Sequence, residues 1–312
     1  MLGAAEAGFF PGVIVYLSHW FIHEDRAKAT SNFMSAIPLS FVIGSPIAGW
    51  ILGHKWFAVE GWRWLFVLEG VPAILLGAAA FFVLTDWPSE ATWLAPEQRQ
   101  WIEQKLYEEK NISTQAITVW QTLKSRTILL LASLTFLNYF ALYSFAFWFP
   151  TILKRQSGYS DVQVGLLGAV PYLATFIIML VNGWHSDKDR ERRWHSAVPL
   201  FIAATGLLGL ISQPRSIPFS VVLFTMVSMV FAYLPTFWAI PTEILSLSAV
   251  AAGVGMINAV GSMAGFAGPQ LFGYLNTRTG SFLYGLALTM VCALAGGLLI
   301  LCTPRTARAL LP

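Results

Sequence analysis

Nine long apolar runs constrain this chain more than any other feature of its sequence. They cover residues 3–22, 29–53, 63–85, 127–149, 161–184, 196–212, 217–240, 247–275 and 281–303. A bilayer core needs about 20 predominantly apolar residues for each crossing helix, and each run is near that length. A transmembrane β-barrel would show alternating polarity over segments of about 10 residues instead. The pattern therefore predicts an all-α membrane protein with about nine transmembrane helices.

The composition excludes the main alternatives. Hydrophobic residues make up 56% of the 312 residues and charged residues only 11%, whereas soluble domains average about 25% charged residues. Disorder requires the opposite balance. Cys292 and Cys302 are the only cysteines, which excludes a disulfide scaffold. The formal net charge of +3 is dispersed along the chain, so we expect no nucleic-acid partner.

Lysine and arginine predict the orientation. Loops on one side of the membrane, including 86–126 and 185–195, hold 13 of these residues, and loops on the other side hold 6. The richer side is expected to be cytoplasmic. This predicts a multi-pass protein of the plasma (inner) membrane with a cytoplasmic C-terminus and an external N-terminus.

The domain organisation follows from an internal repeat. Gly-Pro elements recur at Pro46 and Pro269, which are 223 residues apart, as two six-helix halves would place them. Such parallel repeats are typical of secondary transporters. We predict a remnant of an N-terminal bundle in 1–85, a cytoplasmic linker with an amphipathic helix in 86–126, and a six-helix bundle in 127–312. Because only three spans precede the linker, the arithmetic implies that three N-terminal helices are missing.

Glu6 is the main candidate for chemistry. An ionisable group inside a span is costly and functional by default, and desolvation would let this carboxyl exchange a proton near neutral pH. Two simpler interpretations stay open: Glu6 lies at the outer interface, or it pairs with a basic neighbour. We interpret Glu69 as a packing or helix-linking carboxylate and Glu243 as interfacial.

Amides and aromatics within the spans are candidates for substrate binding. They are Asn138, Tyr139, Trp238 and Asn258. Hydrogen bonding between helices is the alternative role for the amides. We expect no metal site, since His19 and His23 have i,i+4 spacing but no third ligand with matching spacing. The sequence contains no Gly-x-Ser-x-Gly, HExxH or P-loop motif, so we expect no enzyme and no cofactor other than a coupling proton.

The most specific element is the short basic loop after the fifth run. Its predicted gating residues are Gly183, Asp187, Lys188, Arg192 and Arg193. The Asp can cap a helix N-terminus, and the Arg residues can hold neighbouring carboxylates. The alternative is a loop whose basic residues only fix the orientation.

This loop resembles the Gly-x-x-x-Asp-Arg-x-Gly-Arg-Arg signature of the major facilitator superfamily, with Lys188 in place of the first Arg and Arg190 in place of the second Gly. It is similar to the variant found in the anion:cation symporter family of tartrate, sugar-acid and phthalate permeases. Residues 3–12, 62–72 and 86–94 resemble the same family.

The resemblance implies a truncated major facilitator fold of 3 + 6 helices and proton-coupled uptake of an organic anion such as tartrate, a sugar acid or an aromatic acid. By resemblance, Glu6 matches the protonatable Glu of the family's fourth helix, and Trp238 and Asn258 fall near substrate-contacting positions. Asn138 and Tyr139 match a cavity-facing stretch of its seventh helix. The family's first helix and its counter-charges have no match in this chain.

Three other functions stay open. The bend Gly44–Gly49 loosely resembles an antiporter motif and allows a drug or sugar antiporter. A membrane enzyme would need a nucleophile and base, or a metal cluster, that the sequence does not display. The chain could also be a fragment without activity of its own. The expected partners are a small organic anion and the lipid bilayer, with no obligate protein partner.

Overall fold

The computed structural model describes residues 8–57, 59–112, 124–212, 216–244 and 247–303. The α-helices in these residues are α1 Phe9–Trp20, α2 His23–Leu52, α3 Gly61–Val83, α4 Pro96–Ile112, α5 Arg126–Ser157, α6 Asp161–Asp189, α7 Arg193–Ile211, α8 Ile217–Ser228, α9 Leu234–Ile244, α10 Leu247–Thr279 and α11 Leu283–Leu301. Short 3-10 turns occur at Pro88–Glu90 and Met229–Phe231. The described residues form no β-sheet and contain a single isolated bridge, between Trp56 and Val59.

Seven segments are long and apolar enough to cross a membrane. They are Lys28–Leu52, Gly61–Val83, Arg126–Ser157, Asp161–Asp189, Arg193–Ile211, Ile217–Pro241 and Leu283–Leu301. Each corresponds to one of the nine predicted runs. For the first and eighth runs, and hence for the count of nine, membrane crossing stays a prediction.

The run 217–240, predicted as one span with a helix-breaking Pro235, is one candidate span in the structure and is divided internally. Helix α8 ends at Ser228, a 3-10 turn follows, and α9 begins at Leu234. Pro235 explains the break, because it lacks a backbone N–H and its ring clashes with the carbonyl four residues earlier, at Phe231.

The helices before and after the linker meet mainly along α2 and α6. In the middle of this contact the Phe41 ring stacks on Tyr172, with 4.4 Å between ring centroids. Phe41 also meets Phe231 edge-on, at 5.8 Å between ring centroids. Aromatic pairs at such separations add stabilisation beyond area burial, so this contact joins the two groups of helices firmly.

Helix α3 packs chiefly on α2 and leaves most of its surface open. Its large apolar side chains, such as Phe66, Leu75 and Phe81, are exposed. A water-soluble protein rarely exposes so continuous an apolar face. This face therefore fits a hydrocarbon environment, as the hydropathy predicted.

The predicted linker helix is present as α4. Before it, the linker folds back on the end of α1, where the Trp87 ring stacks on His19 at 4.1 Å and Trp93 stacks on Trp20 at 5.5 Å between centroids. His19 is thus part of an aromatic stack.

Candidate substrate site and gate

A cluster of aromatic side chains lies where α1 meets α9. Trp238 is 1% exposed, and its ring centroid is 5.0 Å from that of Phe10 on α1 and 5.3 Å from that of Phe237. Tyr233, one turn earlier than Phe237, is fully buried. Tyr139 of α5 lies beside Trp238. Two predicted substrate residues, Tyr139 and Trp238, are therefore brought together.

Polar atoms in this aromatic cluster are poorly satisfied. Within the part of the chain that the structure covers, the Tyr233 hydroxyl has no hydrogen-bond partner, and Trp238 Nε1 makes no bond of good geometry although the Tyr139 hydroxyl is near. An unsatisfied buried polar group costs about 1–3 kcal/mol. Small-molecule sites are usually apolar, with a few polar groups that orient the ligand, so this cluster is a candidate site.

Asn138 lies elsewhere, although it is adjacent to Tyr139 in sequence. Its side chain is buried between α5 and α11, directly against Gly296. Neither amide atom has a hydrogen-bond partner in the described ranges. The side chains of consecutive helical residues point about 100° apart. Asn138 therefore faces α11, whereas Tyr139 faces the aromatic cluster. A substrate role for Asn138 stays a prediction.

Asn258 is half-buried on α10. It lies one turn before Gly261, where the backbone packs closely against Thr135 and Tyr139 of α5. Residues three apart share a helix face, so Asn258 lies on the side of α10 that faces α5. Its role as a substrate contact stays a prediction.

Glu6 falls outside the described residues, and its proton-coupling role remains a prediction. Phe10, four positions later in the sequence, contacts Trp238 through its ring.

Arg192 organises the end of the molecule where α6 ends and α7 begins, which we call the arginine end. Its guanidinium forms ion pairs with Asp187 Oδ1 at 2.5 Å and with Glu243 Oε1 at 3.0 Å. It also donates to Ser186 Oγ at 3.0 Å. The side chains of Arg192 and Glu243 are only 10% and 9% exposed. Both acidic partners belong to helices after the linker, so this pairing fastens α9 to the α6–α7 turn.

The sequence did not group Glu243 with the predicted gating residues, although the structure pairs it with Arg192. Its position two residues after Pro241, at the end of an apolar run, was read as interfacial. The only indication in the sequence was a carboxylate at the end of a span on the same side as a basic loop. Arg192 and Glu243 are 51 residues apart, so no local sequence pattern predicts their pairing.

The other predicted gating residues occupy separate environments. Gly183 is buried in α6. Lys188 is exposed, with its Nζ over the Trp184 ring at 5.4 Å from the centroid. Arg193 is half-buried, and its Nε lacks a hydrogen-bond partner among the described residues. The structure thus brings Asp187 and Arg192 together and leaves these three outside that ion-pair cluster.

The sequence predicted Asp187 as a helix cap, but Asp187 lies in the last turn of α6, and Glu191 caps the first turn of α7 instead. Its carboxylate accepts from the backbone N–H groups of Trp194 at 2.9 Å and His195 at 3.2 Å, and contacts His195 Nδ1 at 2.9 Å. Partial burial raises the pKa of Glu191, but these hydrogen bonds outweigh it and bring the pKa below the ordinary value of a Glu side chain. The charged form therefore caps the helix.

A cavity of about 620 Å³ lies between α2, α3, α5 and α6. Its wall is largely apolar and includes Tyr172, and Glu69 and Asp161 are among its lining residues. Asp161 pairs with Lys154 at 2.5 Å. Glu69, on α3, has an exposed side chain. This cavity differs from the aromatic cluster because acidic residues are among its lining residues.

Seven described helical segments are long and apolar enough to cross a membrane, and the fold is therefore that of a multi-pass helical membrane protein. The sequence profile of the Major Facilitator Superfamily matches residues 1–269, and the chain belongs to this superfamily. The fold is similar to that of a double tryptophan mutant of the transporter XylE, with a TM-score of 0.70 at 15% identity over 93% of this chain and 66% of that one. It is also similar to the partially occluded inward-open xylose transporter XylE from E. coli, with a TM-score of 0.64 at 14% identity over 95% of this chain and 67% of that one.

Several curated relatives are more similar in sequence. A putative tartrate transporter of Agrobacterium vitis is 38% identical over 98% of this chain and 68% of its own length. The putative metabolite transport protein NicT of Pseudomonas putida is 34% identical over 97% of this chain and 70% of its own. A quinolone resistance transporter of Acinetobacter baumannii is 33% identical over 95% of this chain and 69% of its own. The chain thus spans about two thirds of the length of these relatives.

Proposed function

We propose that the chain takes part in proton-coupled symport of a small organic anion by alternating access, as in the anion:cation symporter family. The observation that carries this proposal is the buried Tyr233 hydroxyl, which has no hydrogen-bond partner among the described residues and whose ring contacts Phe237 of the aromatic cluster. The similarity to a putative tartrate transporter supports a hydroxylated or aromatic carboxylate as substrate.

The aromatic cluster suits such an anion because its free polar groups are donors. Tyr233 Oη and Trp238 Nε1 can both donate to carboxylate oxygens, and hydrogen bonds to charged groups contribute about 1.5–3 kcal/mol. Apolar surroundings strengthen these bonds and exclude water. The rings of Phe10 and Phe237 then cover the carbon skeleton.

Proton coupling is assigned to Glu6. A negative charge moving against 100 mV costs about 2.3 kcal/mol, and a proton that accompanies it cancels this cost. Protonation of Glu6 also removes a charge that would repel the anion. Rearrangement of the Arg192 ion pairs would accompany the movement of α9.

The transport test uses the chain reconstituted in liposomes with radiolabelled tartrate. Glu6→Gln is expected to retain tartrate exchange between the two sides and to lose accumulation driven by a pH gradient, because a glutamine cannot carry a proton. Glu69→Gln is the matched control and should leave accumulation intact. Unchanged gradient-driven accumulation in Glu6→Gln would exclude the proton role.

A binding test addresses the substrate site directly. Tyr233→Phe removes one hydroxyl and should weaken tartrate binding by about 10-fold to 100-fold, as expected for the loss of a hydrogen bond to a charged group. Tyr107→Phe, at an exposed position on α4, provides the same chemical change away from the site. Equal affinities for the two variants, measured by calorimetry, would place the anion elsewhere.

A second candidate function is export of a drug-like cation or neutral amphiphile by antiport. The apolar cavity with Glu69 on its wall favours it, as does the similarity to a quinolone resistance transporter. A liposome panel that compares tartrate with a fluoroquinolone separates the two functions. Quinolone efflux that is lost in Glu69→Gln, without tartrate uptake, would favour the exporter.

A further inference from the structure

Three potential metal-binding side chains converge at the arginine end, beside the Arg192 ion pairs. They are His185 and Asp189 in the last turn of α6 and His195 in the first turn of α7. One ligand atom from each residue lies within 4.8 Å of the others. His185 Nδ1 is 2.7 Å from His195 Nε2 and 3.3 Å from Asp189 Oδ2.

The backbone produces this convergence. His185 and Asp189 have i,i+4 spacing and therefore share a helix face. Arg190 ends α6 in the left-handed conformation, with a φ of 52°, and reverses the chain within three residues. This reversal places His195 beside the face of α6 that carries His185 and Asp189.

His195 is oriented as metal-binding histidines usually are. Its Nδ1 lies 2.9 Å from Glu191 Oε2, so the ring donates to the carboxylate through Nδ1–H and turns the lone pair of Nε2 toward His185. Metal-ligating histidines almost always donate a hydrogen bond from their second ring nitrogen to a carboxylate, a backbone carbonyl or water. Glu191 is thus placed as the orienting carboxylate.

We propose that His185, Asp189 and His195 form a binding site for a divalent transition-metal ion of the zinc class. Two imidazoles and one carboxylate suit zinc, whereas calcium and magnesium prefer oxygen ligands alone. Tetrahedral ligands at zinc are about 3.3 Å apart, so the ring nitrogens need to separate by only a few tenths of an ångström. His185 adopts the tautomer with hydrogen on Nε2, and water completes the coordination.

The surroundings permit a cation to bind. The turn between α6 and α7, taken together with Glu243 of α9, has no net formal charge. Its four acidic residues are Asp187, Asp189, Glu191 and Glu243, and its four basic residues are Lys188, Arg190, Arg192 and Arg193. The His185 and Asp189 side chains are 52% and 46% exposed, which gives an ion a path from solvent. Bound metal would join the end of α6 to the start of α7 and hold the turn that presents Asp187 to Arg192.

The test is Co²⁺ binding to the purified chain in detergent, without a histidine tag. Tetrahedral Co²⁺ absorbs visible light strongly, and Zn²⁺ should displace it at one equivalent. His185→Gln and Asp189→Asn should each abolish the absorption, and Glu191→Gln should weaken binding by about 10-fold to 100-fold. His54→Gln, at the other end of the molecule where His54 Nδ1 contacts the Trp50 carbonyl, should bind like the unaltered chain.

Zn²⁺ should also raise the unfolding temperature in a concentration-dependent manner, since a ligand of the folded state stabilises it by mass action. His185→Gln should remove this rise. Absence of saturable Co²⁺ binding, or equal binding by the His185→Gln and His54→Gln variants, would overturn the proposal. Neither result depends on transport, so this test is independent of the proposed function.

Discussion

Helix α6 is held at its two ends by opposite kinds of contact. At the arginine end, ion pairs and hydrogen bonds join Arg192 to Asp187 and Glu243. At the other end, which we call the glycine end, α2 and α6 touch through their backbones. A Cβ placed on Gly49 would lie 2.5 Å from the Asp161 carbonyl oxygen and 3.3 Å from Gly165 Cα.

The difference shows that one end of α6 is held by contacts that cannot adjust and the other end by contacts that can separate. Close backbone packing at small residues relies on van der Waals contact and tolerates no added volume. When an ion pair near the membrane surface separates, water can hydrate both charged groups. The glycine end therefore sets the distance between α2 and α6, whereas side-chain ion pairs that water can replace hold the arginine end.

Arg192→Ala should have the largest effect. It leaves Glu243 and Asp187 without their cation, and loss of one partner from a buried pair costs about 3–5 kcal/mol. Thermal unfolding in detergent measures this change. Lys188→Ala, which loses only an exposed cation–π contact of about 0.5–1 kcal/mol, is the control. Similar effects of the two substitutions would show that the ion pairs do not fasten this end.

Gly49→Ala should come next, with a loss of about 1–3 kcal/mol from overpacking against backbone that cannot rotate away. Gly44→Ala is a control on the same helix, because a Cβ there meets nothing within 4 Å. The control should gain up to about 1 kcal/mol from the higher helix propensity of alanine. If both variants unfold at the same temperature, the close approach of α2 and α6 does not limit stability.

Lys154→Ala should have the smallest effect. The Lys154–Asp161 pair lies at the glycine end, but its side chains are 51% and 38% exposed. Exposed pairs contribute about 0.2–1 kcal/mol, and salt screens them. The difference from the unaltered chain should vanish at high ionic strength. A large loss that persists in salt would mean that charge also governs this end.

Hydropathy predicted most of the fold because the signal is local. The seven segments that qualify as membrane spans, and helix α4 in the linker, all fall where the apolar runs and charged stretch of the sequence placed them. Pro235 indicates a helix that bends or breaks, and α9 begins one residue before it. Whether a proline bends or interrupts a helix depends on its neighbours.

The candidate site was predicted less completely. Tyr139 and Trp238 were chosen from the sequence and do lie together, but Asn138 packs against Gly296 instead. Tyr233 and Glu243 were not chosen, although the first has an unsatisfied hydroxyl and the second pairs with Arg192. A sequence shows which residues are polar, and only the rotation of each helix decides what they face.

The sequence by itself determined that this chain is a helical membrane protein with a basic loop after Gly183, because hydropathy and charge act over a few helical turns. The tertiary structure alone decided which side chains meet. Glu243 reaches Arg192 across 51 residues, and His195 is returned to His185 by a left-handed residue at Arg190. Such contacts depend on the packing of whole helices, which no local pattern of residues specifies.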